Sequence, residues 1–459
     1  MTEILDHLRE NRERHLRELA DFLRIPSVSA KSEHRDDVRR AADWLVERML
    51  ECGLETAEIF TTPGHPIVLG EWRGAPGAPT LLVYGHYDVQ PPEPLEEWTS
   101  PPFEATVRDG KLYARGSVDD KGQLYLYLKA VEAHISARGT LPVNLVVLVE
   151  GEEEVGSPHL EGFLVQNRDR LACDAVLISD TGMFAPGLPS ITKGLRGLAY
   201  MEIRVQGPQS DLHSGSYGGA VVNPANALAR ILAQLHDDRG RVAIPGFYDD
   251  VAEISDAERG RMAALPHEEE DLRREVGAPK LAGEKGYTAL ERIWVRPTLD
   301  VNGLLAGYTG EGAKTVLPAR AMAKVSMRLV PNQSHEDIEE KFSRHVRSLA
   351  PAGVTVDVVA LHGGEPWYAD PVHPVFEIAA GALERAFGKA PVFIREGGSI
   401  PIVHAFQQTL AAPVVLIGFA LPGSNTHAPN EWFSIENFNT GTEAIALFLD
   451  DAATLEATA

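Results

Sequence analysis

The sequence predicts an α/β protein: a mostly parallel, doubly wound sheet into which a smaller α+β domain is inserted. Three observations predict it. Short Val/Leu/Ile-rich runs alternate with helix-like segments up to about residue 190, the pattern of parallel strands joined by helices. The run Ala199-Tyr200-Met201-Glu202-Ile203-Arg204-Val205 then alternates apolar and polar, as in a half-exposed strand. After Gly363-Gly364 the strand and helix alternation resumes.

Taken in order, leucines at 5, 8, 16, 19 and 23 follow a helical period, and 36–52 reads as a second helix closed by Gly53. Strands follow at 81–84, 145–149 and 176–178, with a helix at 122–137 between the first two. Gly194-Leu195-Arg196-Gly197 breaks the pattern and opens the insertion. The insertion continues through a helix at 224–236, a charged stretch from about 249 to 290, strands near 297–303 and 321–329, a helix at 334–349 and a strand at 354–361. A helix at 372–387, a strand at 391–394, a helix near 400–408 and a strand at 413–417 return to the first domain. The boundaries expected are 1–194 and 363–459 for the main domain and 195–362 for the insertion.

With 459 residues, 44% of them hydrophobic, the chain can bury a sizeable core, and roughly 100 to 200 residues per domain allows two to four domains. The charge, 43 minus 66 or −23, is spread along the chain, which argues against binding nucleic acid or an anionic membrane. Cys52 and Cys173 are the two cysteines, so a disulfide framework is excluded and a reducing compartment fits. The N-terminus lacks the basic and apolar regions of a signal peptide, and no apolar run approaches the ~20 residues a membrane helix needs. A cytoplasmic protein is expected.

The chemistry gathers just past the apolar runs. His86-Tyr87-Asp88 follows 81–84, Asp119-Asp120 follows Ser117-Val118, Glu152-Glu153-Glu154 follows 145–149, Asp180 follows 176–178, and His427 follows 414–417 across a Gly-rich loop. Ligands of open α/β sheets bind outside the carboxyl ends of the strands, so these residues can converge. Singly, each also reads as a helix cap, a turn or a loop hydrogen bond. Together they offer two histidines and several carboxylates, a mixed N/O set suited to zinc, manganese or cobalt. Asp88 stands where it can accept the second ring N–H of His86, and one of the adjacent glutamates can serve as a base. Because Asp119-Asp120 serves a ligand position and a helix start at once, a cis peptide bond is expected between them.

Gly85-His86-Tyr87-Asp88-Val89-Gln90-Pro91, Tyr113-Ala114-Arg115-Gly116-Ser117-Val118-Asp119-Asp120-Lys121-Gly122 and Glu150-Gly151 with Glu153-Glu154 and Gly156-Ser157 resemble the M20 metallopeptidase family, within it the cytosolic non-specific dipeptidase and carnosinase branch. Asp211-Leu212-His213-Ser214-Gly215, Gly312-Ala313-Lys314-Thr315, Arg328-Leu329-Val330-Pro331-Asn332, Gly397-Gly398-Ser399-Ile400-Pro401 and His427 extend the likeness over nearly the whole chain. The resemblance implies a catalytic domain with an inserted lid domain that mediates homodimerisation. It implies two divalent metal ions, zinc or manganese, with His86 and Asp180 on one, Glu154 and His427 on the other, and Asp119 bridging both. Glu153 would be the general base toward a metal-bridging water, and Asp88 the partner of His86. His213 would reach the partner subunit's site, while Arg328, Thr315 and Ser399 would hold the carboxylate end of a dipeptide. The register among the three glutamates is open in the residues themselves, and the family's spacing to Gly156-Ser157 implies Glu153 and Glu154 rather than Glu152 and Glu153 for these roles. The competing readings are an N-acyl amino acid amidohydrolase or carboxypeptidase of the same family, and a non-catalytic metal-containing peptide-binding protein.

Overall fold

The computed structural model describes residues 1–398 and 400–456, with Pro401 in its backbone only. Four strands form the parallel heart of a large sheet: Asn144–Glu150, Thr80–His86, Ala175–Ile178 and Val414–Leu416, in that spatial order. Apart from the opening Thr80 and Asn144 their residues are buried. This explains the unbroken apolar runs of the sequence, since a parallel strand is covered on both faces.

The sheet is mixed rather than parallel from edge to edge. Thr56–Phe60 and Ile67–Trp72 pair antiparallel with each other, and the latter pairs antiparallel with Asn144–Glu150. Residues 61–66 between the first two are too few for a parallel crossover, which takes a dozen residues or more. On the other flank Ser190–Leu195 meets Val414–Leu416 antiparallel.

The chain divides into two units: Met1–Lys193 with Ala369–Ile394 and Ile402–Ala459, and Gly194–Tyr368 with Arg395–Pro401. In the first, the helix Lys121–Arg138 is buried from Lys121 through Val131, and Gly139, in the left-handed conformation at φ 72, ends it. Its first turn is tight. A Cβ on Gly122 would stand 1.9 Å from the Ser117 carbonyl oxygen, so no other residue fits there. The Lys121 ammonium is buried and donates to the carbonyls of Phe22 and Ile25 at 3.3 and 2.7 Å, tying this helix to the end of Arg12–Leu23.

The second unit holds a four-stranded antiparallel sheet in the order Thr298–Ala306, Arg320–Leu329, Gly197–Gln206, Thr355–Gly364. Alternate residues of Gly197–Gln206 and Arg320–Leu329 are buried, as the period-two pattern requires. The buried face packs on Leu228 and Ile231 of Pro224–Leu232 and on Ile338, Phe342 and Val346 of His335–Ser348. The charged stretch before residue 290 forms the short helices Asp256–Ala263 and Glu269–Glu275, and Ala289–Trp294 follows behind a Thr288/Glu291 capping box. No helix among the described residues is long and apolar enough to cross a membrane.

Candidate metal centre

The carboxyl ends of the parallel strands converge as an open α/β sheet dictates. His86 is the last residue of Thr80–His86 and is fully buried. Its Nε2 lies 3.1 Å from Asp119 Oδ1 and 3.9 Å from Asp180 Oδ2. The other oxygen of Asp119 lies 2.9 Å from His427 Nε2, which is 3.2 Å from Glu154 Oε2. Two donor groups result, His86/Asp119/Asp180 and Asp119/Glu154/His427, each with its ligand atoms within 4.8 Å of one another. They share one residue, and it offers a separate oxygen to each.

The residues fit divalent cations. Ligands ~2.0–2.1 Å from a tetrahedral ion stand roughly 3.3 Å apart, close to the separations found. The electrostatics point the same way. Burial, with Asp119 beside it, pushes the Asp180 carboxyl well above its usual range, and the same two causes raise Glu154. Against the burial that would raise it, hydrogen bonds from His427 and His86 hold Asp119 below the usual range. Hydrogen bonds to Asp119 and Glu154 in turn carry His427 up to about 10. Carboxylates this close and this buried need cations or protons between them.

Glu153 sits beside this cluster without belonging to either donor group. Burial, then the charges of Glu154, Asp119 and Asp88, push its carboxyl well above the ordinary range, with His86 opposing them. Glu152 turns elsewhere, its Oε2 2.7 Å from His159 Nδ1. Of the three consecutive glutamates, then, Glu154 joins a donor group and Glu152 does not.

Asp88 does more than the sequence suggested. The atom nearest His86 Nδ1 is its backbone carbonyl oxygen at 3.1 Å, with a carboxylate oxygen at 3.4 Å. Its two carboxylate oxygens accept the backbone N–H groups of Glu153 and Glu154 at 3.2 and 3.1 Å. One side chain therefore backs the histidine and fixes the loop that carries both glutamates. The peptide bond between Asp119 and Asp120 is cis, as the sequence led us to expect.

Other supports are absent from the sequence reading. The Glu431 carboxylate, fully buried, accepts from Arg115 Nη1 at 2.6 Å and from the backbone N–H groups of Gly116, Val118 and Asp119 at 3.0, 2.9 and 3.2 Å. It thereby shapes the loop that presents Asp119. Gln90 Nε2 donates to Glu154 Oε2 at 2.8 Å. Tyr84 and Ser157 hydroxyls both donate to Glu150 Oε1 at 2.6 Å, pinning the far end of the glutamate loop. Burial raises Glu150 to about 7. His427 takes a left-handed backbone at φ 61 and leaves its side chain half open to solvent, a conformation that a non-glycine residue holds only where its surroundings enforce it.

His213, Thr315 and Arg328 belong to the second unit. His213 ends the short strand Leu212–His213, paired with Val316, and its exposed ring accepts from Gly215 N at 3.0 Å. Thr315 lies beside it, its carbonyl accepting from Ser214 N at 3.1 Å. Arg328 is half-buried on Arg320–Leu329. Ser399 lies outside the described residues.

A mixed-sheet α/β domain with two adjoining His/carboxylate donor groups defines a candidate metal-binding protein. The chain belongs to peptidase family M20/M25/M40, whose family model matches residues 82–451. It is 35% identical over 452 residues to the Cys-Gly metallodipeptidase dug1 of Schizosaccharomyces pombe, covering 95% of each protein. It is 33% identical to the human Beta-Ala-His dipeptidase over 95% of this chain and 86% of that one. The solved M20 family metallo-carboxypeptidase Sso-CP2 of Sulfolobus solfataricus superposes with a TM-score of 0.87 at 35% identity, over 96% of this chain and 99% of that one.

Proposed function

We propose that this chain hydrolyses the peptide bond of dipeptides, using two divalent cations, zinc or manganese. The observation that carries the proposal is Asp119, whose two oxygens address two different donor groups with Glu153 at their side. His86, Asp119 and Asp180 would hold one ion, and Asp119, Glu154 and His427 the other. When bound, such a pair supplies an acidified water and polarises the scissile carbonyl. Glu153 takes the proton from the attacking water and delivers it to the amine nitrogen as the C–N bond breaks. Asp88 orients His86 and holds the 153–154 backbone, so that base and ligand keep a fixed spacing. His213, from a second copy of the chain, stabilises the developing oxyanion, while Arg328, Thr315 and Ser399 bind the terminal carboxylate. On this reading the working unit is a cytoplasmic homodimer joined through the second unit.

The dipeptidase relatives support the choice of substrate, and the likeness to Sso-CP2 keeps removal of single C-terminal residues from longer peptides as a second reading. The test loads the full chain with each metal and assays dipeptides, longer peptides and N-acyl amino acids side by side. Fastest cleavage of dipeptides is expected. Exclusive cleavage of acyl amides or of longer peptides would replace the reading, and no cleavage of any would return it to a non-catalytic binder.

A further inference from the structure

The segment that follows His86 reaches both donor groups. His86 ends its strand in the first group, and four residues further on the Gln90 side chain meets Glu154 of the second. Gln90 Nε2 donates to Glu154 Oε2 at 2.8 Å and, at 3.4 Å, to the Glu154 carbonyl oxygen. Between them in sequence, Asp88 accepts the Glu154 backbone N–H at 3.1 Å. One short stretch of chain thus holds Glu154 by its N–H, its carbonyl and its carboxylate.

That stretch is itself anchored on both sides of Gln90. Ser27 Oγ donates to the Tyr87 carbonyl at 2.6 Å, and the Val89 N–H donates to the Ser27 carbonyl at 3.0 Å. Arg115, whose Nη1 is paired with Glu431, donates from Nη2 to the Pro91 carbonyl at 3.4 Å. Gln90 therefore reaches Glu154 from a fixed backbone.

The oxygen that Gln90 holds is the one that faces the second metal position, for Oε2 is also the atom 3.2 Å from His427 Nε2. A carboxylate oxygen has two lone-pair sites, so one can take the Gln90 N–H while the other takes a cation. The hydrogen bond is charge-assisted, yet it comes from a neutral amide, which leaves the ligand its full negative charge. A lysine or arginine there would cancel that charge. The support matters most at this position. His86 is fully buried against Asp88, whereas the His427 side chain is 54% exposed on a left-handed backbone. Of the two ligands that serve the second position alone, Glu154 is the buried one.

We propose that Gln90 is a positioning residue for one metal position only: it presents Glu154 Oε2 to the ion shared with His427, and so sets the affinity of that position without setting that of His86 and Asp180. This rests on the reading above that two ions bind about Asp119.

The test is titration of the full chain with manganese, followed by calorimetry and checked by elemental analysis. Gln90→Met, of similar shape but without a donor, is made in the Asp180→Ala background, which keeps the second position, and in the His427→Ala background, which keeps the first. With Asp180→Ala, Gln90→Met is expected to weaken the remaining ion by roughly 10- to 100-fold, the usual range for a lost partner of a metal ligand. With His427→Ala the same substitution should leave the affinity unchanged, a selectivity that general loosening of the fold would not produce. Should Gln90→Met fail to fold, Gln90→Asn keeps the amide but is one methylene too short to reach Oε2, and the same selective loss is expected. An equal loss in both backgrounds, or none in either, would overturn the proposal. If Asp180→Ala and His427→Ala with Gln90 intact do not each bind one ion, the two-position reading fails, and the role of Gln90 with it.

Discussion

Glu431 gives the sharpest test of how the Asp119 loop is held. It and Arg115 have side chains 0% and 1% exposed, so solvent screens neither. Oε2 accepts from Arg115 Nη1 and Gly116 N, and Oε1 from Val118 N and Asp119 N. Burial outweighs the pull of Arg115 and leaves this carboxyl above its ordinary range, though the hydrogen bonds around it argue for the charged form. Four donors, and no acceptor hydrogen-bonded there among the described residues, favour the ionised form at these two oxygens, because a proton would have nothing to bond. Glu431→Gln keeps the shape but places an NH2 against two donors and strips the charge from beside a buried guanidinium. Two hydrogen bonds lost at ~1 to 1.5 kcal/mol each, plus an uncompensated buried charge, reach the ~3 to 5 kcal/mol typical of a broken buried pair. Denaturant unfolding of the metal-free protein measures this without interference from bound ions. A destabilisation below ~1 kcal/mol would refute the reasoning, since it would mean that the carboxyl is already neutral or that the pair contributes little.

Other substitutions separate chemistry from support. Glu153→Gln should lower kcat by ~10² to 10⁴, the scale of general-base catalysis, with metal content by elemental analysis unchanged; metal loss would show that Glu153 is a ligand. Asp88→Ala removes the acceptor of two backbone N–H groups as well as a partner of His86, so metal affinity by calorimetry should fall by roughly 10- to 100-fold. An unchanged affinity would deny it both roles. Phe342 is fully buried in the second unit, and Phe342→Ala should cost ~3 to 5 kcal/mol in unfolding without changing metal stoichiometry. His15 is held down to about 4 by burial and by Lys129. A histidine whose pKa falls on folding stabilises the protein above its unfolded pKa of ~6.5, and the gain is lost as pH drops toward 4. About 3 kcal/mol should disappear over that window, and unfolding midpoints of His15→Leu should show a flatter limb there. A limb as steep as in wild type would contradict the assignment.

The parts of the site legible in the sequence are those that follow from strand direction. Thr80–His86, Asn144–Glu150 and Ala175–Ile178 carry unbroken apolar runs at 81–83, 145–149 and 175–178, and a polar residue beyond the carboxyl end of such a run has one crevice to enter. His86, Glu154, Asp180 and His427 were singled out as candidates in this way, whereas Asp119 precedes the helix Lys121–Arg138 with no strand before it, and the family likeness supplied the ligand set. The half-exposed sheet of the second unit was equally legible, because Gly197–Gln206 alternates at period two. The antiparallel flank was not, since Thr56–Phe60 has no fully buried residue and therefore no strong pattern. Long-range polar supports were hidden for a different reason. Glu431 and Arg115 lie 316 positions apart, and nothing in either neighbourhood says that a buried glutamate must hold the loop of another segment.

The central claim is that one carboxylate, Asp119, joins two metal positions. Metal stoichiometry in the wild type and in Asp180→Ala, His427→Ala and Asp119→Ala, by elemental analysis and titration calorimetry on the same samples, tests it most directly. Two ions per chain in the wild type, one in each of the first two variants and fewer than one in Asp119→Ala are predicted. Asp119→Ala retaining two ions, or Asp180→Ala and His427→Ala emptying the same position, would contradict it.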